Sequence, residues 1–380
     1  MVSRLLLDYS KPGDLVLDPF GGCGTTLVEA KLNGRNSICT DVDESALLIS
    51  TAKAIAIKPK KLEVGNTALL KRISNSQDNK NYYTNANSRL KYWFKQEQFN
   101  KLTVIFNEIH KEQDRQLLTF YECCFSNILK NCSTWFSKSI KPQKDLKKKI
   151  ADPLSTFVKH LNFMTAQNLD YYNRLEKSQN QKIKCKVKKA DARKTGLRKN
   201  SIDLIITSPP YAISYEYADI HQLSLLWFNF TNNIAETRKE YIGTSFKKMD
   251  IEKENIPSAV GLKTVIDLEK YDKGLAKQIA NYIVDLNLSF REMKRVLKHG
   301  KSACIIIGDT EYRGVRIRNT EISTELLNNM GFRIKKVIKR RISSKNFTPY
   351  RDPNGKFSND KNGKMRKIYK YEYIVIAKNS

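Results

Sequence analysis

Hydrophobic residues along this chain occur in two patterns, one typical of buried strands and one typical of helices. Short apolar runs that end at a polar residue indicate buried parallel strands, and segments with apolar residues at helical spacing follow them. Near the start of the chain this pattern predicts strand 15–18, helix 25–33, strand 37–42 and helix 44–56. Asp43 stands where it can cap the last of these helices. This order is the beginning of a doubly wound α/β domain.

The same alternation returns in the second half of the chain. It predicts strands at 182–187, 201–207, 303–307, 332–338 and 371–377, and helices at 275–297 and 321–330. His299 and Gly300 are expected to connect the long helix to the strand at 303–307.

Residues 58–181 interrupt this α/β pattern. They are rich in Lys, Asn, Leu and Phe, and 102–109 and 117–129 have the spacing of amphipathic helices. We therefore predict an α/β fold, a Rossmann-like doubly wound sheet with a large helical insertion. Its parts are 1–57, the inserted helical domain 58–181, and 182–380. The basic piece 138–149, with Asp145 as its one acid, is predicted to be a loop or helix end that faces solvent.

The charge of the chain indicates a polyanionic partner. Lys and Arg number 68 and Asp and Glu 39, which gives a formal net charge of +29. Nucleic acid suits this excess, because each neutralised phosphate releases counterions. A lysine-rich proteome is the alternative explanation, and charge does not distinguish DNA from RNA.

Other composition features narrow the class of protein. No apolar run approaches the ~18 residues that span a bilayer, and the apolar stretch at the N-terminus is too short for a signal peptide. We therefore expect a soluble cytoplasmic protein without a membrane partner. The seven cysteines form no CxxC pair and there are four histidines. This predicts free, buried thiols and no metal site.

A glycine-rich turn follows the first predicted strand. Glycines at this place let a ligand approach the backbone, and the next helix offers free N–H groups at its N-terminus. Asp41 ends the second strand, where an acid accepts hydrogen bonds from ribose hydroxyls. A glycine turn alone would suit a dinucleotide equally well. Its residues here are Asp18-Pro19-Phe20-Gly21-Gly22-Cys23-Gly24-Thr25-Thr26.

A second unusual segment begins where strand 201–207 ends, at Ser208-Pro209-Pro210-Tyr211. Neither proline can donate a backbone hydrogen bond. The strand end therefore presents acceptors, which are the Ser208 hydroxyl and carbonyl and the Pro209 carbonyl, beside the Tyr211 ring. Such a set suits an exocyclic amino group, which needs acceptors for its two hydrogens and a π face for its ring.

Together these segments resemble the motifs of the DNA amino-methyltransferases, which are Asp-Pro-Phe-x-Gly-x-Gly-Thr-Thr and Asp/Asn/Ser-Pro-Pro-Tyr/Phe. The resemblance covers about 1–57 and 182–380 and implies that family's methyltransferase sheet. It also implies S-adenosylmethionine as cofactor. Asp191 precedes the Ser208 strand by about the distance at which the family places an acid for the adenine amino group. The cofactor-binding residues implied are Asp18, Pro19, Phe20, Gly21, Gly22, Gly24, Thr25, Thr26, Asp41 and Asp191.

The resemblance further implies that Ser208, Pro209, Pro210 and Tyr211 are catalytic. Acceptors for both amino hydrogens favour a pyramidal nitrogen whose lone pair points at the sulfonium methyl, so transfer is direct. The base leaves the helix and stacks on Tyr211. The Ser form of the motif is typical of cytosine 4-amino enzymes, and the Asp and Asn forms are typical of adenine 6-amino enzymes. The chain has no Pro-Cys pair, which cytosine 5-carbon enzymes usually use.

At one point the chain departs from the family. Members with this motif order usually carry a further cofactor-binding segment ahead of the glycine turn, but here it is missing or shortened to 1–11. Either the chain starts late or a second polypeptide supplies the segment. Two alternatives therefore stay open beside a self-sufficient enzyme: a nucleic-acid-binding subunit that needs a partner chain, and an RNA methyltransferase.

DNA contacts are predicted near the C-terminus. Fourteen Lys or Arg and two acids lie between Arg333 and Lys370, and 343–363 has the composition of a long exposed loop. The alternative is a solvated loop without a partner. The sequence thus predicts a site-specific methyltransferase of double-stranded DNA that favours cytosine-N4. We expect it to belong to a restriction-modification or related system with a cognate restriction endonuclease. The predicted DNA-binding residues are Arg340, Arg341, Lys345 and Arg351.

Overall fold

The computed structural model describes residues 1–76, 80–213, 216–246, 251–342, 350–351, 366–367 and 371–380. The strands are β1 (Leu15–Asp18), β2 (Asn36–Asp41), β3 (Cys185–Lys189), β4 (Ile202–Thr207), β5 (Leu297–Ile307), β6 (Thr310–Tyr312), β7 (Val315–Ile317), β8 (Phe332–Arg341), β9 (Tyr350–Arg351), β10 (Arg366–Lys367) and β11 (Tyr371–Asn379). The helices are α1 (Val2–Tyr9), α2 (Thr25–Leu32), α3 (Glu44–Ala54), α4 (Pro59–Ser74), α5 (Ser88–Trp93), α6 (Gln96–Ile109), α7 (Arg115–Ile128), α8 (Pro153–Lys177), α9 (Tyr217–Trp227), α10 (Ile234–Arg238), α11 (Ala259–Glu269), α12 (Lys273–Val296) and α13 (Asn319–Asn329).

The central sheet has the order β3-β2-β1-β4-β5-β11-β8. The strands from β3 to β5 pair in parallel, and β11 runs antiparallel to both of its neighbours. The order reverses between β1 and β4, which is the switch point where ligands bind in open α/β sheets. This topology confirms the predicted doubly wound sheet.

Alternation along β4 explains why helices cover both faces of the sheet. Every residue of β4 is buried, and successive side chains of a strand point to opposite faces. Ile205 packs into a core with residues of α12 and α13, whereas Leu204 and Ile206 pack with Leu5 and Leu6 of α1 on the other face. α1 was not predicted from the sequence, because its apolar run is short.

The helices between β2 and β3 share a separate core. Residues of α4 to α8 pack there with residues of α9, among them Trp227. Within this core Trp93 and Trp135 stack with ring centres 5.1 Å apart. The predicted helices at 102–109 and 117–129 lie inside α6 and α7. The packing of α9 onto this core brings the helical segment next to the chain that follows β4.

Several boundaries correct the sequence prediction. β5 begins at Leu297, so His299 and Gly300 lie inside the strand rather than between helix and strand. Gly300 has a φ of +78°, and the register with β4 shifts near this end, which lets the strand start early. β8 extends to Arg341 because it pairs with β11 over its whole length. β3 begins three residues later than predicted.

The cysteines are all free. Cys23 is exposed and Cys185 is partly exposed, which corrects the expectation that every thiol is buried. No helix among the described residues is long and apolar enough to cross a membrane.

The junction between sheet and helical segment depends on one buried amide. The Asn168 side chain accepts from the Ile57 N–H at 2.9 Å and donates to the Ile57 carbonyl at 2.8 Å. Asn168→Ala would leave both backbone groups buried and unpaired. We expect it to lower the free energy of unfolding by about 1–3 kcal/mol, measured by urea denaturation. Gln167→Ala, an exposed neighbour on α8, should stay within about 0.5 kcal/mol of the parent. An equal effect of both changes would contradict this role.

Candidate cofactor and target-base site

The carboxyl ends of β1, β2 and β4 lie side by side because these strands are parallel neighbours. Asp18, at the end of β1, is buried and accepts hydrogen bonds from the Thr207 hydroxyl at 2.7 Å and the Thr26 hydroxyl at 2.8 Å. Burial raises the pKa of Asp18, and these two hydrogen bonds oppose that shift. The carboxyl group thereby joins the end of β4 to the first turn of α2.

Three glycines shape the turn after β1, each in a different way. A Cβ at Gly21 would lie 1.7 Å from the Cys39 Sγ, so this glycine permits close packing on β2. Gly24 caps α2 with a φ of +73°. Gly22 has a φ of +49°, and the nearest atom that its Cβ would meet is the Phe20 carbonyl oxygen at 3.9 Å. Gly22 therefore faces open space beside the turn.

That space is a cavity of about 300 Å³ above the switch point of the sheet. This volume is at the lower end of the range for small-molecule sites, ~300–1,000 Å³. The predicted residues that line the cavity are Pro19, Phe20, Gly22, Asp41, Asp191, Ser208 and Pro210. The predicted residues that are not part of its lining are Asp18, Gly21, Gly24, Thr25, Thr26, Pro209 and Tyr211.

Asp41 presents its carboxylate to the cavity from the end of β2. Its oxygens accept from the Gly22 N–H at 2.8 Å and the Asp43 N–H at 3.0 Å. Burial raises the pKa of Asp41 to about 6, against the effect of these two bonds. The carboxylate is thus held in one orientation at the place where the sequence predicted a ribose contact.

Asp191 also lines the cavity, but a guanidinium holds it. The Nε of Arg193 lies 3.0 Å from each Asp191 carboxylate oxygen, and Arg193 also donates to Asp285 at 2.8 Å. These hydrogen bonds and charges raise the pKa of Arg193 despite its partial burial. Asp191 is therefore held in one orientation at the edge of the cavity.

A buried network that the sequence did not predict forms the wall opposite the glycine turn. Asp43 caps α3 through one oxygen. With the other oxygen it accepts from the His221 Nδ1 at 2.5 Å and the Tyr241 hydroxyl at 2.8 Å. Burial alone would raise the pKa of Asp43, but the bond and charge of His221 lower it. Burial would lower the pKa of His221, and Asp43 raises it. The capping role of Asp43 was predicted from its local sequence, whereas these distant partners were not.

The turn after β4 is fixed by a residue that sequence reasoning missed. Tyr282, in the middle of α12, donates its hydroxyl to the Pro210 carbonyl at 3.0 Å. Ser208 is exposed at the cavity. The Tyr211 ring packs on Gly308, where an added Cβ would lie 3.0 Å from the ring. Burial raises the pKa of Tyr211 to about 12, with a further contribution from Glu372, so its ring is uncharged at neutral pH.

The structure describes three of the four predicted DNA-binding residues, and their surroundings differ. Arg340 lies in β8 and forms an ion pair with Glu372 of β11 at 3.0 Å, so its charge is already neutralised. Arg341 is exposed at the end of the same strand rather than in a loop. Lys345 lies outside the described residues, and Arg351 is described only as part of β9.

The cavity has the chemistry of a site for a small cationic ligand. Four acids line it, and His221 is the basic group among its lining residues. Apolar side chains such as Phe20, Ile220 and Ile242 complete the walls. S-adenosylmethionine, which carries a sulfonium, a ribose and an adenine ring, fits this combination of carboxylates and apolar surface. The acids are Asp41, Asp43, Asp191 and Glu240.

Known proteins with similar sequences are named Type II methyltransferases. One is the Type II methyltransferase M.MvaI of Kocuria varians, 25% identical over 90% of this chain and 80% of its own length. Another is the Type II methyltransferase M.BsoBI of Geobacillus stearothermophilus, 24% identical over 89% of this chain and 77% of its own length. A SAM-dependent methyltransferase structure from Methanosarcina mazei covers 98% of this chain and 96% of its own length, at 10% identity and a TM-score of 0.34. That similarity is too low to add to the fold assignment.

Two family models match the chain. The model described as DNA methylase matches 1–52 and 202–380, which together are more than half of the chain and include β1, β4 and both motifs. A model described as Clusterin matches 77–284. That second range combines most of the helical segment with β3 and β4 of the sheet, so it crosses two hydrophobic cores and corresponds to no single unit of the fold. The chain belongs to the DNA methylase family, the S-adenosylmethionine-dependent amino-methyltransferases that its two motifs resemble.

Proposed function

We propose that this protein transfers a methyl group from S-adenosylmethionine to the 4-amino nitrogen of cytosine in double-stranded DNA. The observation that carries the proposal is the shared cavity. Ser208 and Pro210 of the catalytic motif line the same space as Gly22 and Asp41 of the cofactor motif. A methyl donor held by the second pair would lie beside the turn that carries the proposed acceptors, Ser208 and Pro209.

The bound cofactor supplies a methyl group activated by its sulfonium charge. Asp41 would hold the ribose hydroxyls, and Gly22 would let the methionine part lie against the backbone. Asp191, fixed by Arg193, would accept from the adenine amino group. A carboxylate in a bidentate pair with Arg keeps further acceptor sites, because it has about four lone-pair directions.

The protein's part in the reaction is to orient the amino nitrogen. The Ser208 hydroxyl and the Pro209 carbonyl would accept its two hydrogens, so that the lone pair is freed from the ring and directed at the methyl group. Tyr282 holds the Pro210 carbonyl, which keeps the Pro-Pro turn from shifting. Tyr211, fixed on Gly308, would stack on the base once it has left the duplex.

Ser208 at the acceptor position favours cytosine over adenine, because the Ser form of the motif is typical of cytosine 4-amino enzymes. Adenine 6-amino methylation is the second candidate. A role in a restriction-modification system, with a cognate endonuclease, is supported by relatives that are named Type II methyltransferases. A second chain that supplies a cofactor-binding segment stays a prediction.

The target base is tested by its product. DNA incubated with the isolated chain and S-adenosylmethionine should yield 4-methylcytosine after digestion to nucleosides and mass spectrometry. Ser208→Ala removes one acceptor and should lower the methylation rate roughly tenfold or more, while cofactor affinity stays unchanged. Only 6-methyladenine would refute the choice of base, and activity only with an added partner chain would favour the subunit alternative.

The open face of Gly22 allows a matched test of cofactor binding. Gly22→Val places a side chain in the cavity and should weaken S-adenosylmethionine binding by roughly tenfold or more, measured by calorimetric titration. Gly13→Val is the control, because Gly13 also has a positive φ and a Cβ there meets nothing within 4 Å. The control should share the backbone strain and keep the affinity. Equal losses in both variants would contradict the assignment.

Cofactor affinity should also depend on the ionisation of Asp41. Ribose hydroxyls donate to the carboxylate, so binding favours the ionised form. Because the pKa of Asp41 is raised to about 6, affinity should fall as the pH decreases below 6, by up to about tenfold per pH unit. Asp41→Asn should bind more weakly at pH 7 and lose this component of the pH dependence. A variant with the parent's pH profile would show that another group titrates.

A further inference from the structure

We propose that the loop 136–151, together with α5, holds the phosphate backbone of duplex DNA beside the catalytic turn. We refer to this loop and helix as the basic surface. The inference rests on the proposed function, because it takes duplex DNA as the substrate. The sequence pattern predicted only a solvent-facing segment here, whereas the structure gives the loop a defined shape and bonds α5 to α9, the helix that carries His221 of the cavity wall.

The exposed charge of the basic surface has no acidic partner in the part of the chain that the structure describes. Its exposed lysines form no ion pair with a carboxylate of the described residues. Asp145, the one acid of the loop, accepts the backbone N–H of Lys147 at 2.9 Å and so stabilises the turn. Elsewhere exposed lysines do have acidic partners, as Lys60 has Glu63 at 3.3 Å. The unpaired lysines are Lys138, Lys141, Lys147 and Lys149.

The loop is held in one shape by its own contacts. The Phe136 N–H donates to the Gln143 carbonyl at 2.7 Å. The Lys148 ammonium donates to the carbonyls of Lys130 and Trp135 at 2.7 and 2.8 Å, and Trp135 stacks on Trp93 beneath. A fixed loop loses less conformational entropy when it binds a partner than a mobile one does. The backbone positions of Lys138, Lys141, Lys147 and Lys149 are therefore already set before a partner binds.

Exposed aromatic and aliphatic side chains lie among the charges. Tyr92 of α5 is 45% exposed, with the Lys144 Nζ 4.2 Å and the Arg89 Cζ 5.3 Å from its ring centre. Leu146, at the far end of the loop, is 79% exposed. Cations interleaved with an exposed ring are typical of surfaces that follow a nucleic-acid backbone.

The basic surface is attached directly to the wall of the cavity. The Nε of Arg89 and the indole N–H of Trp93 both donate to the Gln222 Oε1 at 2.9 Å. Gln222 follows His221 on α9, and His221 and Tyr217 line the cavity. Gln222 comes five residues after Tyr217, a rise of about 7.5 Å along the helix, whereas one turn of DNA is ~34 Å long. Gln222, where the basic surface joins α9, therefore lies within one turn of DNA from a base placed in the cavity.

Neutralisation of the loop should change how salt affects DNA binding. The variant Lys141→Gln, Lys147→Gln, Lys149→Gln is titrated with a fluorescent mixed-sequence duplex of about 30 base pairs, or roughly three turns, over a series of KCl concentrations. We expect weaker binding and a plot of log K against log salt that is flatter by about 0.9 for each phosphate that the variant no longer neutralises.

A second triple variant controls for net charge. Lys60→Gln, Lys263→Gln, Lys270→Gln removes the same charge from lysines that already have acidic partners. It should keep the parent slope. An unchanged slope in the loop variant, or an equal change in both variants, would overturn the proposal.

A measurement on the parent protein, without substitutions, tests the same contacts and excludes indirect effects of the substitutions. Acetylation of lysines, followed by mass spectrometry, should show protection of Lys141, Lys147 and Lys149 when the duplex is bound, and no protection of Lys263. Failure of this inference and failure of the proposed function are distinguishable. Methylation of DNA by a protein whose loop stays unprotected overturns only the basic surface, whereas absence of any methylated nucleoside overturns the reaction itself.

Discussion

The arrangement of this site depends on the buried carboxyl group of Asp18. Thr26, in the first turn of the helix that follows the glycine turn, and Thr207, the last residue before the proposed catalytic turn, both donate to it. Methyl transfer requires donor and acceptor atoms to be aligned closely, and a displacement of about 1 Å can reduce the rate ~100-fold. Because one buried group fixes both segments, their separation cannot change without breaking hydrogen bonds that no solvent replaces. Asp18 therefore acts through positioning, since it lies behind the cavity lining.

Charge is distributed with opposite sign inside and outside the site. The chain has a formal net charge of +29, yet Asp41, Asp43, Asp191 and Glu240 line the cavity. An acidic cavity attracts a sulfonium and repels phosphate, so in the proposed reaction the DNA backbone would stay at the rim while an uncharged base enters. Phosphate contacts would then fall to lysines that have no acidic partner among the described residues, and Arg340, which is paired with Glu372, is a weaker candidate than its sequence position suggested.

The sequence predicts features that depend on neighbouring residues better than features that depend on contacts between distant parts of the chain. The strands, their helices and the two motifs are local patterns, and the structure contains them with small shifts in boundary. The early start of β5 escaped prediction because it depends on a register shift against β4. The role of Tyr282 escaped for a similar reason: it bonds to Pro210, 72 positions earlier in the chain. Nothing near Asp43 in the sequence indicates that its second oxygen would bind His221 and Tyr241.

Helix α9 connects the cavity wall to the helical segment, because two adjacent residues of this helix bond to different parts of the structure. His221 bonds to Asp43 in the cavity wall, and Gln222 accepts from Arg89 and Trp93 of the helical segment. Gln222 is fully buried, so loss of its amide would leave Arg89 and Trp93 donors without a partner. α5 and the helix that carries His221 are therefore joined through one buried side chain. The position of the helical segment relative to the cavity is thus set by its packing on α9 together with the contact of Asn168 with Ile57.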